Sequence, residues 1–142
     1  MSHSFSRIWL HIVFSTQGRK PLISPIAENT IFEYMRKLLL EEKCPVRIIN
    51  GMSDHVHLLF LHNPNKTIAD TIKQIQESTS NWINQNEIIE KKFAWQKGYG
   101  VFSVSESRVE KVFKYIENQK AFHRKTSFTD EYNKMMELYD RM

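Results

Sequence analysis

The chain has 142 residues, 41% of them hydrophobic, which is enough for one ordinary globular domain and too few for two large ones. A single cysteine, Cys44, excludes an internal disulfide and a multi-cysteine zinc site. No apolar run reaches membrane-spanning length and the N-terminus has no signal-peptide pattern, so a cytoplasmic protein without a membrane partner is expected. Lys+Arg 20 against Asp+Glu 16 leaves a net charge of +4, only a weak general pull on polyanions.

Taken in chain order, residues 8–14 are β-branched, aromatic and almost continuously apolar, as in a strand buried on both faces. A polar loop with Arg19 and Lys20 follows. Ser24-Pro25 reads as an N-cap with proline at the first helical position, and Ala27, Ile31, Met35, Leu38 and Leu39 recur at helical spacing. Residues 46–50 and 55–61 read as a second and third strand, and the short link between them suits an antiparallel hairpin. Thr67 and Asp70 resemble a capping box at the head of a helix with Ile68, Ile72, Ile75 and Ile83 on its apolar face.

Residues 93–96 and 101–104 then flank Lys97-Gly98-Tyr99-Gly100. Ser105 or Ser107 opens a helix expected to run to about Arg124, with Val109, Val112, Phe113 and Ile116 as its buried stripe. Its basic residues Arg108, Lys111, Lys114, Lys120, Arg124 and Lys125 form the local positive face that the net charge hides. A last amphipathic segment covers residues 130–139. The order is that of a ferredoxin-like βαββαβ sandwich of the α+β class, with helices on one face of an antiparallel sheet and an appended C-terminal helix carrying Tyr115. Residues 1–142 are expected to form a single domain.

The chemistry concentrates in Asp54-His55-Val56-His57 at the head of the third strand. Side chains alternate along a strand, so the two histidines point to one face as a clamp for a metal. With six histidines in the chain, about 0.25 such pairs are expected by chance, so the pair alone is weak. His11 lies on the neighbouring first strand, where a hydrogen-bonded core histidine is the simpler reading, and no further histidine or carboxylate has convincing spacing for a zinc hydrolase. Tyr115 and Gln119, four residues apart, share a helix flank about 110° from the centre of the buried stripe, beside Arg108 and Lys111. A tyrosine among cations has a stabilised phenolate; the bland reading is a surface ring covering the core edge.

Four ordered motifs resemble the single-tyrosine HUH transposases of the insertion-sequence 200/605 type. They are residues 10–16 with Arg19-Lys20, residues 54–59, residues 95–105, and Tyr115-Ile116-Glu117-Asn118-Gln119. The resemblance spans residues 8–125. It implies that His55, His57 and Gln119 hold one divalent metal, Mg2+ or Mn2+, and that Tyr115 attacks single-stranded DNA to leave a 5′-phosphotyrosine and a free 3′-OH. It further implies a homodimer acting on hairpin-marked element ends without a nucleotide cofactor. Arg19, Lys20, Lys111, Lys114 and Arg124 would contact phosphates, and Trp95 or Tyr99 would stack on an extruded base. Two readings compete: a noncatalytic ferredoxin-like nucleic-acid-binding module, and a domesticated relative acting on repetitive palindromes.

Overall fold

A computed structural model describes residues 4–140. Its sheet has four antiparallel strands in the order β2-β3-β1-β4: β1 (Trp9–Ser15), β2 (Val46–Gly51), β3 (His55–Leu61) and β4 (Gly100–Val104). Helices α1 (Pro25–Glu41) and α2 (Ile68–Gln85) are the two crossovers, which makes this the expected ferredoxin-like arrangement. Ser24 caps α1 by accepting from the Ala27 amide (3.2 Å), and Thr67 caps α2 by accepting from the Asp70 amide (3.1 Å).

The two central strands are buried on both faces, and alternation sorts their side chains. Leu10, Ile12 and Phe14 of β1 and Val56, Leu58 and Phe60 of β3 pack under α1 and α2 with Ile31, Met35, Leu39 and Ile75. The opposite face carries Trp9, His11 and Val13 of β1 and His55, His57 and Leu59 of β3.

That second face is covered too, so helices lie on both sides of the sheet. The continuous helix expected from Ser105 or Ser107 to about Arg124 is instead a 3-10 turn at Glu106–Arg108, then α3 (Val109–Glu117) and a short α4 (Gln119–Phe122). The break falls at Asn118, whose backbone (φ −91°, ψ 15°) is outside the helical region. A last helix, α5 (Phe128–Asp140), returns across the same face and buries Phe128, Glu131 and Met135. Val109, Val112 and Ile116 seat α3 on Leu59 and Ile48, so the expected apolar stripe does face the sheet.

The hairpin between β2 and β3 is sterically exacting. A Cβ at Gly51 would lie 2.2 Å from the His55 carbonyl oxygen and 2.9 Å from Val56 Cα, both backbone atoms that cannot step aside cheaply. Gly51→Ala is therefore expected to cost about 1–3 kcal/mol, as overpacking does. In a chemical-denaturation titration the midpoint should fall; an unchanged midpoint would mean that the hairpin does not fix the start of β3.

Candidate metal and tyrosine site

Strand alternation places His55 and His57 on the α3–α5 face, and Leu59 beyond them seals the floor. Both rings are fully buried. Each is oriented through Nδ1: His55 Nδ1 donates to Asp54 Oδ1 (2.7 Å), and His57 Nδ1 lies 2.8 Å from His11 Nε2. His11 is held well below its usual pKa by burial and by the neighbouring His57, so it is neutral. In the tautomer in which His57 donates from Nδ1 to His11, its Nε2 lone pair faces the interior. That atom has no hydrogen-bond partner among the described residues. A second partner on the far ring nitrogen is how ligating histidines are commonly oriented. His11 is thus the hydrogen-bonded core histidine anticipated from the sequence, with the added task of turning His57.

The two Nε2 atoms meet Gln119 and Glu131. Gln119, fully buried at the first turn of α4, has Oε1 2.9 Å from His55 Nε2 and donates from Nε2 to Glu131 Oε2 (2.6 Å). Glu131, 1% exposed, lies 3.2 Å from His55 Nε2 and 3.4 Å from His57 Nε2 and accepts from Tyr115 Oη. His123 Nε2 completes the ring of contacts on Glu131 at 2.8 Å. Single ligand atoms of His55, His57 and Glu131 lie within 4.8 Å of one another.

Burial works against charge throughout this cluster, and specific partners decide the outcome. Burial pushes the Glu131 carboxyl up, but the adjacent imidazoles of His55 and His57 outweigh it and the net shift is downward, so the carboxylate is ionised. Burial depresses His55, yet Asp54, Glu131 and Gln119 together raise it above the ordinary histidine value. His57 goes the other way, because burial exceeds the pull of Glu131. The donor set is two imidazole nitrogens, an amide oxygen and one carboxylate. It fits a divalent ion of the Mg2+ to Mn2+ kind, with the imidazoles favouring the latter.

The structure brings His55, His57, Gln119 and Tyr115 together, with the tyrosine half-buried rather than on an exposed flank. Its ring stands edge-on to His57 at 5.8 Å and its hydroxyl points to Glu131 instead of to a cation. The cations lie one step out: Arg108, Lys111 and Lys134 rim a cavity of about 470 Å³ that also reaches His11, Tyr115 and Glu131. Lys20, Lys114 and Arg124 are exposed and away from this cluster's contacts. Arg19 is committed elsewhere, bonding Thr129 Oγ1 and lying over the Phe128 ring at 5.3 Å, so it fastens the start of α5.

Glu131 is a correction to the expectation that no carboxylate was suitably spaced. Distance along the chain concealed it, because α5 is reached only after the turn beyond α4. The available signal was pattern: Phe128, Glu131 and Met135 fall on one helical stripe, and an acid within an apolar stripe is an acid with a buried partner. Phe128 and Asn50 also escaped notice. Phe128 stacks on His55 with ring centroids 4.1 Å apart. Asn50 Nδ2 donates to the carbonyls of Ile116 (2.9 Å) and Glu117 (3.2 Å), which fixes the end of α3 just before Gln119.

An HxH pair on a central strand of a ferredoxin-like sheet, with a tyrosine on the facing helix reaching the same buried carboxylate, sets potential metal-ligand atoms beside a phenol. Comparison gives the family: the model for IS200-like transposases matches residues 4–119, most of the chain, and the chain belongs to that family. It is 24% identical over 114 residues to the ISDra2 transposase TnpA of Deinococcus radiodurans, covering 77% of this chain and 81% of that one. In fold it is similar to a crystal structure from Deinococcus radiodurans R1 assigned as a transposase (TM-score 0.67, 20% identity, 84% of this chain and 95% of that one). It is also similar to a REP-associated tyrosine transposase bound to a REP hairpin (TM-score 0.63, 10% identity, 87% and 74%).

If the converging Nε2 atoms hold a metal, adding Mn2+ at a hundred times its Kd should stabilise the fold by about 2.7 kcal/mol. Differential scanning calorimetry should show the melting temperature rising for the native sequence and not for His57→Ala. An equal rise in both would place the metal elsewhere.

Proposed function

We propose that this chain is a DNA transposase that cuts and rejoins single-stranded DNA at hairpin-marked element ends through a 5′-phosphotyrosine on Tyr115. The observation that carries this reading is convergence. The Tyr115 hydroxyl and the Nε2 atoms of His55 and His57 all approach the buried carboxylate of Glu131, and the four side chains come from three separate elements, α3, β3 and α5.

His55, His57 and Gln119 would hold one Mg2+ or Mn2+ ion, and Glu131 stands in the same donor set. Held there, such an ion would supply Lewis acidity to the phosphoryl transfer. Tyr115 is the nucleophile: its oxygen bonds to phosphorus as the P–O3′ bond breaks, and the phenolic proton leaves on the side where Glu131 accepts its hydrogen bond. One phosphodiester replaces another, so joining is the same step reversed with a 3′-OH as nucleophile, and no nucleotide cofactor is required. Arg108, Lys111 and Lys134 at the rim of the Tyr115 cavity offer charge to the sugar–phosphate chain.

The proposal includes a single domain over residues 1–142, a homodimer and a cytoplasmic setting, which follow from the family resemblance. Among the described residues no helix is long and apolar enough to cross a membrane. A noncatalytic binding module explains the cluster poorly, since fully buried histidines and a buried carboxylate are costly when they only fill space. A domesticated relative acting on repetitive palindromes would share every one of these residue roles and differ in the DNA it selects.

Incubation with single-stranded flanking DNA and Mn2+ should yield a covalent protein–DNA adduct mapping to Tyr115. Tyr115→Phe should lower cleavage at least about a thousandfold, the scale seen when a nucleophile is removed. Adduct formation by the Phe variant, or cleavage of duplex DNA in preference to single strands, would overturn the assignment. Gln119→Ala and Glu131→Ala, compared for Mn2+ affinity by calorimetric titration, should show which side chain completes the donor set, with the true ligand losing about 10–100-fold or more.

A further inference from the structure

Three protein donors leave a zinc-type ion an open position, and a fourth closes it. Among the groups that converge on the centre, His55, His57 and Gln119 belong to the span matched to the family, residues 4–119. Glu131 and its partner His123 lie beyond that span. Glu131 reaches the histidines only because α5 is drawn across this face of the sheet. Arg19 holds the first turn of α5 through Thr129 and Phe128, and Phe128 stacks on His55. The apolar anchorage of the helix is small: Phe128 and Met135 pack with Val13 in a cluster separate from the other two cores.

With α5 in place the donors have the spacing of a tetrahedral site. Around an ion with bonds of about 2.0 Å, four such donors stand about 3.3 Å apart. Gln119 Oε1 is 2.9 Å from His55 Nε2, Glu131 Oε1 is 3.2 Å from that same nitrogen, and Glu131 Oε2 is 3.4 Å from His57 Nε2. His57 Nε2 is fully buried and has no hydrogen-bond partner among the described residues, a need that a cation would meet. His123 Nε2, 2.8 Å from Glu131 Oε1, is placed to give the hydrogen bond that ligating carboxylates commonly receive.

We propose that the closed arrangement is a Zn2+ site in which His55, His57, Gln119 and Glu131 take all four positions, and that the ion latches α5 to the sheet. Zn2+ binds imidazole and carboxylate readily and accepts four-coordination, whereas Mg2+ demands an octahedral shell of oxygens. What the latch does to the chemistry rests on the transposase reading. A latched ion offers a DNA phosphate no open position, and the Tyr115 hydroxyl stays bonded to Glu131. A strand is admitted only when α5 lifts and Glu131 leaves, which returns the ion to three protein donors.

The site is tested with metal alone and no DNA, so its failure leaves the transposase reading standing. Co2+ added to the full chain should give the intense visible absorption of four-coordinate cobalt, lost when an equimolar amount of Zn2+ is added. A pale six-coordinate spectrum would overturn the closed site. In competition with a chromophoric chelator, Zn2+ affinity should fall about 10–100-fold or more in Glu131→Gln. An unchanged affinity would remove the carboxylate from the ligand set and overturn the proposal. Should Glu131→Gln melt early by circular dichroism, hydrogen exchange of the native sequence decides: the α5 amides should exchange more slowly in Zn2+ than in EDTA, and equal exchange would overturn the latch. The transposase reading fails separately, if Mn2+ and single-stranded flanking DNA yield no adduct on Tyr115.

Discussion

The arrangement around this site depends on one buried carboxylate. Glu131 is the point at which β3, α3, α4 and α5 are tied together, through His55 and His57, Tyr115, Gln119 and His123. A charge in such a place is tolerable only when surrounding donors replace its water. In this cluster they do so completely enough that the net shift favours ionisation despite burial. The same donors are the groups that a metal and a nucleophilic tyrosine would require. Structural need and chemical capacity therefore fall on the same atoms, and replacing Glu131 would loosen a helix as well as change a ligand set.

Much of this was legible from residue order. Strand alternation alone puts His55 and His57 on one face, and the apolar runs of β1 and β3 mark them as the interior strands of the sheet. Proline after Ser24 and threonine before Ile68 announce the helix starts that the capping hydrogen bonds then make. The ferredoxin-like topology follows once those elements are counted.

What was not legible depends on contacts between distant segments. Residues 113–120 contain neither glycine nor proline, and nothing local marks Asn118 as the end of α3. The break is supported from β2, where Asn50 takes the last carbonyls of α3, and from Lys120, whose ammonium reaches Glu28, Asn50 and the Gly51 carbonyl. Arg19 likewise reads as a free loop cation until α5 is in place and Thr129 and Phe128 claim it. The second face of the sheet was thus the harder half to foresee, because its helices are ordered by partners rather than by their own periodicity.

The interruption at Asn118 also has a mechanical meaning. In one unbroken helix, Tyr115 and Gln119 would move as a single rigid body, and any re-aiming of the phenol would drag the amide with it. With the helix divided between them, Gln119 belongs to the half braced by Lys120 against the hairpin, while Tyr115 belongs to the half that lies along the sheet. Each half has its own anchor, Asn50 on the last carbonyls of α3 and Lys120 on the Gly51 carbonyl, and the backbone at Asn118 sets the angle between phenol and amide. Aim and grip are set by different levers, and the hairpin of β2 and β3 is the fulcrum they share.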